Sequence, residues 1–310
     1  MAFDAWLRWA PGLLLAPLML GVINRTKALF AGRNGPPVLQ AYYDLRKLLG
    51  KGAVYSRTTT WAFRAGPTVG LAAVGIATLL VPVGGATAPL AFGGDLLLFA
   101  GLLGLARFFT VVAALDTGSS FEGMGASREV QFSALAEPAL LLGLAAVARE
   151  SGGLSLSSLI ASVEWSAWAR TAPALLMVSA ALLAVFLAEN ARIPVDDPNT
   201  HLELTMIHEV MVLDHGGPDL AFILYGAALK LWALGALLIG ILLPVRSGTP
   251  WLDAAAWLGG MMGLAVAVGV IESAMARLRL LRVPQLLVGA TALSIFALIL
   301  SLSARIHKFM

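Results

Sequence analysis

The sequence has 310 residues, of which 59% are hydrophobic and only 13% are charged, and its mean hydropathy is +0.84. Soluble globular domains carry about 25% charged residues, so this composition excludes a soluble protein and indicates a chain whose solvent is the lipid bilayer. The formal net charge of +3 does not indicate a nucleic-acid partner, because the basic residues of a membrane protein cluster in loops according to its orientation.

Apolar segments recur along the whole chain, and each is long enough to cross a bilayer. A spanning helix needs about 20 predominantly apolar residues. We therefore predict an all-α, polytopic membrane protein that forms a single membrane domain over residues 1–310, with about eight spans. The predicted spans are Ala5–Ile23, Ala65–Val81, Leu96–Ala114, Phe132–Ala148, Ala172–Ala188, Leu220–Leu243, Leu252–Ser273 and Pro284–Ser303.

The first apolar segment follows Asp4, and its basic residues Arg25 and Lys27 come after it. A cleaved signal peptide would have its basic residues before the apolar run. We therefore interpret this segment as a first span whose amino end lies outside.

The strongest orientation signal lies between residues 25 and 64, where eight Lys and Arg residues accompany one acid, Asp44. Cytoplasmic loops carry an excess of Lys and Arg, so this loop is predicted to be cytoplasmic. Alternation then makes the loops around Glu122, Asp196 and Arg277 cytoplasmic and places both termini outside. Only the tail that carries Arg305 and Lys308 runs against the rule.

Ionisable residues within spans are costly and are by default functional candidates. Glu129, Ser133 and Glu137 recur at i, i+4 and i+8, so they share one face of the fourth span. Carboxylates whose pKa is raised by burial can pass protons along water chains. The pattern therefore predicts a proton path that is entered from the cytoplasmic half. A purely structural interpretation is also open. In it, Arg107 and Glu129 lie at the level of the lipid headgroups, and Lys230 extends to the membrane interface. The predicted proton-path residues are Glu129, Glu137, Glu189, Glu203 and Glu272, with Lys230 as a partner.

The segment between the fifth and sixth spans, residues 188–219, is dense in charge. Its X-Pro pairs Ile193–Pro194 and Asp197–Pro198 favour extended or turning backbone. Thr200 followed by Glu203 has the spacing of a capping box, which predicts a short helix over about His201–Leu213. A solvated loop without function would also account for these residues.

Metal and nucleophile chemistry is not indicated. The chain has no cysteine, so it cannot ligate an iron–sulfur cluster through thiolates. We predict no metal site, because the four histidines lack paired spacing with acids, although His208 and His215 are seven residues apart. No nucleophile with an adjacent base and no phosphate loop is apparent, so no catalytic residue is predicted. The histidines are His201, His208, His215 and His307.

Residues 188–198 resemble the A-E-x-x-R-x-P-F-D-x-P signature of the membrane subunit shared by respiratory complex I, its subunit 1 or H, and the energy-converting nickel–iron hydrogenases. Val195 stands where complex I members usually have Phe, and Glu203 falls at the last acidic position of that loop. The first cytoplasmic loop is also similar, in an R-x-G-P element at residues 33–36, an L-Q pair at 39–40 and a D-x-x-K element at 44–47. The resemblance extends over nearly the whole chain.

Departures from the complex I pattern point to one branch of this family. Asn199 and His201 replace acids, and Ser133 replaces a glutamate that would be expected on the proton path, with Glu129 and Glu137 one turn to either side. Residues 115–129 and 196–215 resemble instead the hydrogenase branch, that of the membrane subunits of formate hydrogenlyase and hydrogenase-4.

The resemblance implies a membrane anchor and coupling subunit in the inner (plasma) membrane of a prokaryote. Its partners would be hydrogenase large and small subunits, an iron–sulfur subunit and antiporter-like membrane subunits. The nickel–iron centre and iron–sulfur clusters would then lie in those partners, and this chain would be a subunit of an oxidoreductase complex that is not catalytic alone. The residues assigned to docking of the soluble subunits are Arg33, Asp44, Lys47, Arg192, Asp196 and Asp197.

Two alternatives remain at this point. In the first alternative, the chain is the quinone-site subunit of a complex I, and its cytoplasmic face lines a quinone chamber. An independent cation transporter is the other alternative, although such transporters typically show inverted repeats with paired broken helices, which this sequence does not show.

Overall fold

A computed structural model describes the backbone of residues 2–197 and 206–306, and the side chains of these residues except 2–4, 150 and 304–306. His201, Glu203, His307 and Lys308 lie outside the described residues. Within them the regular structure is helical, with two 3₁₀ turns at Glu209–Val212 and Leu280–Arg282. The α-helices are α1 (Ala2–Phe30), α2 (Gln40–Leu49), α3 (Trp61–Leu79), α4 (Asp95–Asp116), α5 (Ser120–Ser151), α6 (Leu156–Ser162), α7 (Trp165–Glu189), α8 (Gly217–Leu242), α9 (Pro250–Ala274) and α10 (Val283–Ile306).

Eight helices in the described ranges are long and apolar enough to cross a membrane: α1, α3, α4, α5, α7, α8, α9 and α10. The prediction of an all-α polytopic membrane protein is thereby confirmed. The largest boundary difference is in α5, which begins at Ser120 and not near Phe132. Its polar first turns are held by tertiary contacts: the Glu122 carboxylate accepts the Asp214 N–H at 3.1 Å, and Arg128 Nη1 donates to the Met206 carbonyl at 2.8 Å.

Helix α8 forms the centre of the bundle. It is apolar around most of its circumference, and residues 228–229 and 231–241 are all buried. A helix that is hydrophobic on all sides is normally enclosed by others. Here α1, α3, α7 and α9 all pack against it, and α10 packs against α5 and α7.

Helix α2 differs from the spans, because none of its residues is buried. It lies on the side of the bundle where α1 ends, and it packs against α1 and α8. Gly21 of α1 permits the approach of the chain that leads into α2, since a Cβ at this position would lie 1.9 Å from the Val38 carbonyl oxygen. The charged first loop is thus held against the bundle while its side chains stay accessible.

A second close backbone approach joins this loop to the start of α8. Gly217 has a φ of +57°, and a Cβ there would lie 2.6 Å from the Gly52 carbonyl oxygen. Only glycine combines that conformation with that contact at little cost. The first loop and the α7–α8 connection, which are remote in sequence, therefore meet at the same end of the bundle.

The helix predicted over His201–Leu213 is not seen in the described part of that segment. Residues 206–208 are not helical, and a single 3₁₀ turn follows at Glu209–Val212. In a helix, each backbone N–H donates to the carbonyl four residues earlier. Here Asp196 Oδ2 instead accepts the N–H groups of Ile207 and His208, at 3.1 and 3.2 Å, so these two groups do not form helical hydrogen bonds.

Candidate functional site

Arg107 of α4 lies at the centre of an ion network within the bundle. Its Nε is 3.3 Å from Glu129 Oε1, its Nη1 donates to Glu137 Oε1, and its Nη2 donates to Glu189 Oε1. The second oxygen of Glu189 is 3.6 Å from Lys230 Nζ. We call these five residues the membrane cluster.

Four spans contribute to the membrane cluster, so it depends on how the helices pack. Glu129 and Glu137 lie two turns apart on α5 and face the same guanidinium, as their spacing predicts. Ser133, between them, donates its hydroxyl proton to the Val130 carbonyl at 3.0 Å. Arg107 lies about 13–14 Å from the end of α4 at Asp116, at 1.5 Å of rise per residue, which is deep within the span.

The charges of the membrane cluster do not balance when every member is ionised. Arg107 and Lys230 supply two positive charges, and the three glutamates supply three negative charges, which leaves one net negative charge. Isolated charge is expensive in a low-dielectric interior. One bound proton would make the network neutral, so the arrangement suits a site that takes up and releases a single proton.

A cleft of about 70 Å³ between α3, α4 and α8 leads to Arg107, Glu129 and Lys230. Its walls are largely formed by small or apolar residues of these helices, and His208 of the α7–α8 connection lines it as well. A volume of this size has room for a few water molecules, and the side chains of Arg107, Glu129 and Lys230 offer them polar partners. The cleft therefore offers a hydrated route between the α7–α8 connection and the membrane cluster.

His208 has its imidazole in this cleft and its backbone N–H on Asp196. Burial, followed by the positive charge of Lys230, lowers the pKa of His208 from 6.5 to about 4, and Arg107 acts in the same direction. Asp196 and Glu189 oppose this change. His208 is consequently neutral near pH 7, so it can both donate and accept a hydrogen bond.

The lowered pKa of His208 predicts an acid-sensitive contribution to stability. Between pH 6.5 and about 4 the unfolded chain binds a proton at His208 that the folded chain does not, so the free energy of unfolding falls as the pH falls. From pH 7 to pH 5 the loss is expected to be about 2 kcal/mol. His208→Gln should show a smaller decrease of unfolding temperature between these two pH values, and an equal decrease in both proteins would contradict the assignment.

A second ion network lies near the ends of α1 and α9. Glu272, whose side chain is fully buried, has Oε2 2.8 Å from Lys27 Nζ and Oε1 3.4 Å from Arg192 Nη1. The sequence grouped Glu272 with the other intramembrane acids. In the structure its ion-pair partners differ from those of the membrane cluster, because they come from α1 and from the segment after α7.

Asp196 anchors the same segment to the loop between α9 and α10. Its Oδ1 is 2.8 Å from Arg277 Nη2 and accepts the Asp197 N–H, while its Oδ2 accepts two further backbone N–H groups. The Leu278 N–H also donates to the Pro194 carbonyl at 2.9 Å. We call Lys27, Arg192, Asp196, Glu272 and Arg277 the anchoring cluster.

The residues predicted to dock soluble subunits fall into two groups. Arg33, Asp44 and Lys47 are exposed on or beside α2, where the Gln40 side-chain amide donates to Asp44. Arg192 and Asp196 are only 7% and 3% exposed, so a partner would not contact them directly. These two positions are corrected from surface contacts to buried anchors, because carboxylate and guanidinium pairs from other loops surround them. Asp197 is half-buried next to the segment that is not described.

Some residues of the site were not identified from the sequence. From the sequence alone, His208 is a candidate only for metal binding, and Lys27 and Arg277 indicate only the orientation of the chain. The available signal was the position of these cations within one or two turns of a span end, where a buried acid requires a partner.

Among the residues that the structure describes, no group of three or more His, Cys, Asp or Glu side chains is placed to hold a metal ion. His215 stacks on Phe63, with ring centroids 3.9 Å apart.

Comparisons with known proteins agree with this architecture. Residues 7–302 match the NADH dehydrogenase family. The chain is 31% identical to formate hydrogenlyase subunit 4 of Escherichia coli (strain K12) over 278 residues, which cover 86% of this chain and 87% of that protein. It is 32% identical to hydrogenase-4 component C of the same organism over 232 residues, 75% of this chain and 72% of that protein.

Among solved structures, a chain of the membrane-bound sulfane sulfur reductase, an archaeal respiratory membrane complex, has a similar fold. The TM-score is 0.82 at 21% sequence identity, and the match covers 96% of this chain and 98% of that chain. Together with the family match and the two relatives from Escherichia coli, this similarity leads to one conclusion: the chain belongs to the NADH dehydrogenase subunit 1 family of membrane proteins.

Proposed function

We propose that this protein is the membrane anchor and coupling subunit of an energy-converting hydrogenase or formate hydrogenlyase-like complex. It docks soluble redox subunits at its cytoplasmic face and links electron transfer to proton movement. The observation that carries the proposal is the membrane cluster, an ion network with an unbalanced charge that is connected by a cleft to the α7–α8 connection. The relatives named for formate hydrogenlyase and hydrogenase-4 favour this branch over a quinone-site subunit.

The docking surface in this proposal is the exposed side of the first loop and α2, with Arg33, Asp44 and Lys47 as its charged contacts. In the proposed orientation this loop is cytoplasmic, which is the side on which soluble subunits are made. Charge pairs at such a surface set the register and the rate of association. The nickel–iron centre and the iron–sulfur clusters lie in the partners, since a chain without cysteine offers no thiolate for them.

The end of α7 connects the two clusters. Glu189, in the membrane cluster, and Arg192, in the anchoring cluster, are three residues apart, and the Arg192 N–H donates to the Leu187 carbonyl at 2.8 Å. A displacement of the anchored α7–α8 connection would therefore change the distance between Glu189 and its two cations. Coupling requires such a charge, one whose surroundings differ between two states of the complex.

Proton transfer then involves a defined change in charge. Loss of one proton changes the membrane cluster from neutral to a net charge of −1, and water in the cleft supplies the path to the His208 end. Glu129 lies on the cleft, Glu189 bridges Arg107 and Lys230, and Glu137 pairs with Arg107 without lining the cleft. Glu203 keeps its predicted place on this path, although it lies outside the described residues.

Glu189→Gln in the intact complex should abolish coupled proton movement, because the amide can neither ionise nor release a proton. We expect the rate of proton movement to fall at least tenfold, which corresponds to an increase of the activation free energy by about 1.4 kcal/mol or more. The rate is measured as acidification or alkalinisation in vesicles that contain the purified complex. Subunit composition should be unchanged. Unaltered proton movement with full hydrogenase turnover would refute the assignment.

The docking surface has its own test. Reversing two charges, in Arg33→Glu with Lys47→Glu, should reduce retention of the soluble subunits in the purified complex at least about tenfold. Arg170→Glu is the matched control, since Arg170 is exposed at the other end of α7 from Glu189. Soluble subunits that remain at full stoichiometry in the double variant would show that this surface is not where they bind.

A further inference from the structure

Glu137 is the member of the membrane cluster that faces outward. Its side chain is 48% exposed, against 16% for Glu129 and 6% for Glu189. Its partner Arg107 lies about 18 Å along α4 from Asp95 and about 13–14 Å from Asp116. The exposed carboxylate is therefore near the middle of the bilayer and not at the headgroup level.

A half-exposed carboxylate at this depth is unfavourable if lipid tails cover it. Charged side chains in the hydrocarbon region face protein or water, and each costs several kcal/mol otherwise. Arg107 already contacts three carboxylates, so it only partly neutralises this one. When the bound proton leaves, the cluster carries a net charge of −1, and a positive charge from a neighbouring chain would then lower the cost of the exposed carboxylate.

The surface around Glu137 has the form of a helix-packing site. Gly101 of α4 is exposed, and a Cβ there would meet no atom within 4 Å, while a Cβ at Gly104 would lie 4.0 Å from Glu137 Oε1. Ala134 is exposed one turn before Glu137 on α5. Small residues allow the backbones of transmembrane helices to approach closely. Phe108, 59% exposed, lies on the same face of α4, seven residues after Gly101.

We propose that a transmembrane helix of a neighbouring membrane subunit packs on this surface of α4 and α5 and places a basic side chain against Glu137. The inference rests on the proposed function, since the neighbour belongs to the same complex. The positive charge of the neighbour compensates the carboxylate that the chain leaves exposed, and the small residues provide the space for its backbone. A membrane partner of this chemistry accounts for both the exposed charge and the shape around it.

Site-specific photo-cross-linking in the intact complex tests the surface without changing the ion network. A benzophenone amino acid at Ala134 should cross-link to a transmembrane segment of another subunit, identified by mass spectrometry, with a Lys, Arg or His within one turn of the cross-linked residue. The matched control is Phe296 of α10, which is 58% exposed and should not cross-link to that segment. Cross-links to lipid alone, or to a segment without a basic residue, would overturn the proposal.

Charge exchange provides the second measurement. Glu137→Lys should reduce retention of that membrane subunit at least about tenfold, and replacing the identified basic residue with Glu should restore it. Failure of the restoration would refute the charge contact even if the helix packs there. These readouts do not require proton movement, so a negative Glu189→Gln result with intact cross-linking would reject the proposed function and leave this interface in place.

Discussion

Replacing Arg107 with Ala should lower the free energy of unfolding by about 3–5 kcal/mol, because it removes one partner of a buried ion network. Three carboxylates would then share a single cation, Lys230, which contacts only Glu189 among them. Their mutual repulsion in a low-dielectric region would raise the cost further. Thermal or denaturant unfolding of the purified complex in mild detergent measures the effect, together with the amount of complex that assembles.

Two controls separate charge from geometry at Arg107. Arg107→Lys keeps the positive charge but loses the planar guanidinium that contacts several acids at once, so we expect an intermediate loss. Arg170→Ala removes an exposed guanidinium and should change stability by no more than about 0.5 kcal/mol. If Arg107→Ala were as stable as Arg170→Ala, the membrane cluster would not hold these helices together.

Asp196→Ala is expected to have the second largest effect. The carboxylate accepts three backbone N–H groups and pairs with Arg277. Its removal leaves one buried and two partly buried N–H groups without their acceptor, at about 1–3 kcal/mol for a buried group, and leaves Arg277 without its anion, so a total loss of about 3–5 kcal/mol is expected. Since the α7–α8 connection should then detach from the α9–α10 loop, hydrogen exchange of the Ile207 and His208 amides should also increase.

Asp214→Ala is the matched control for this prediction, because Asp214 has the same side chain in the same connection and is exposed. It should cost less than about 1 kcal/mol and leave the exchange of the Ile207 amide unchanged. Asp196→Asn should give an intermediate loss, since its single amide oxygen can still accept the Ile207 and His208 N–H groups, while its NH2 group can neither accept the Asp197 N–H nor pair with Arg277. Equal effects of Asp196→Ala and Asp214→Ala would contradict the anchoring role.

The two clusters differ in what they can do. The anchoring cluster pairs two acids with three cations, which suits a permanent attachment of loops. The membrane cluster pairs three acids with two cations and has a cleft beside it. This difference is why we assign the changing charge to Glu129, Glu137 and Glu189 and a holding role to Glu272, which the sequence had placed on the proton path.

The sequence by itself determined the membrane class and the number of spans. Apolar runs of about 20 residues can satisfy their backbone hydrogen bonds in lipid only as helices, so composition and length sufficed. The shared face of Glu129 and Glu137 followed from helical periodicity in the same way. The start of α5 and the non-helical backbone of residues 206–208 did not follow from the sequence, because tertiary contacts of Asp214, Met206 and Asp196 decide them.

The tertiary structure alone decided which charges meet. Arg107 and Glu189 are 82 positions apart, and Arg192 and Glu272 are 80 positions apart, so local periodicity carries no information on either pair. The same applies to the burial of Asp196, which depends on Arg277 of a distant loop. Intramembrane acids are recognisable one at a time from their cost in lipid, whereas their partners, and hence their separation into a proton-handling and an anchoring group, depend on helix packing.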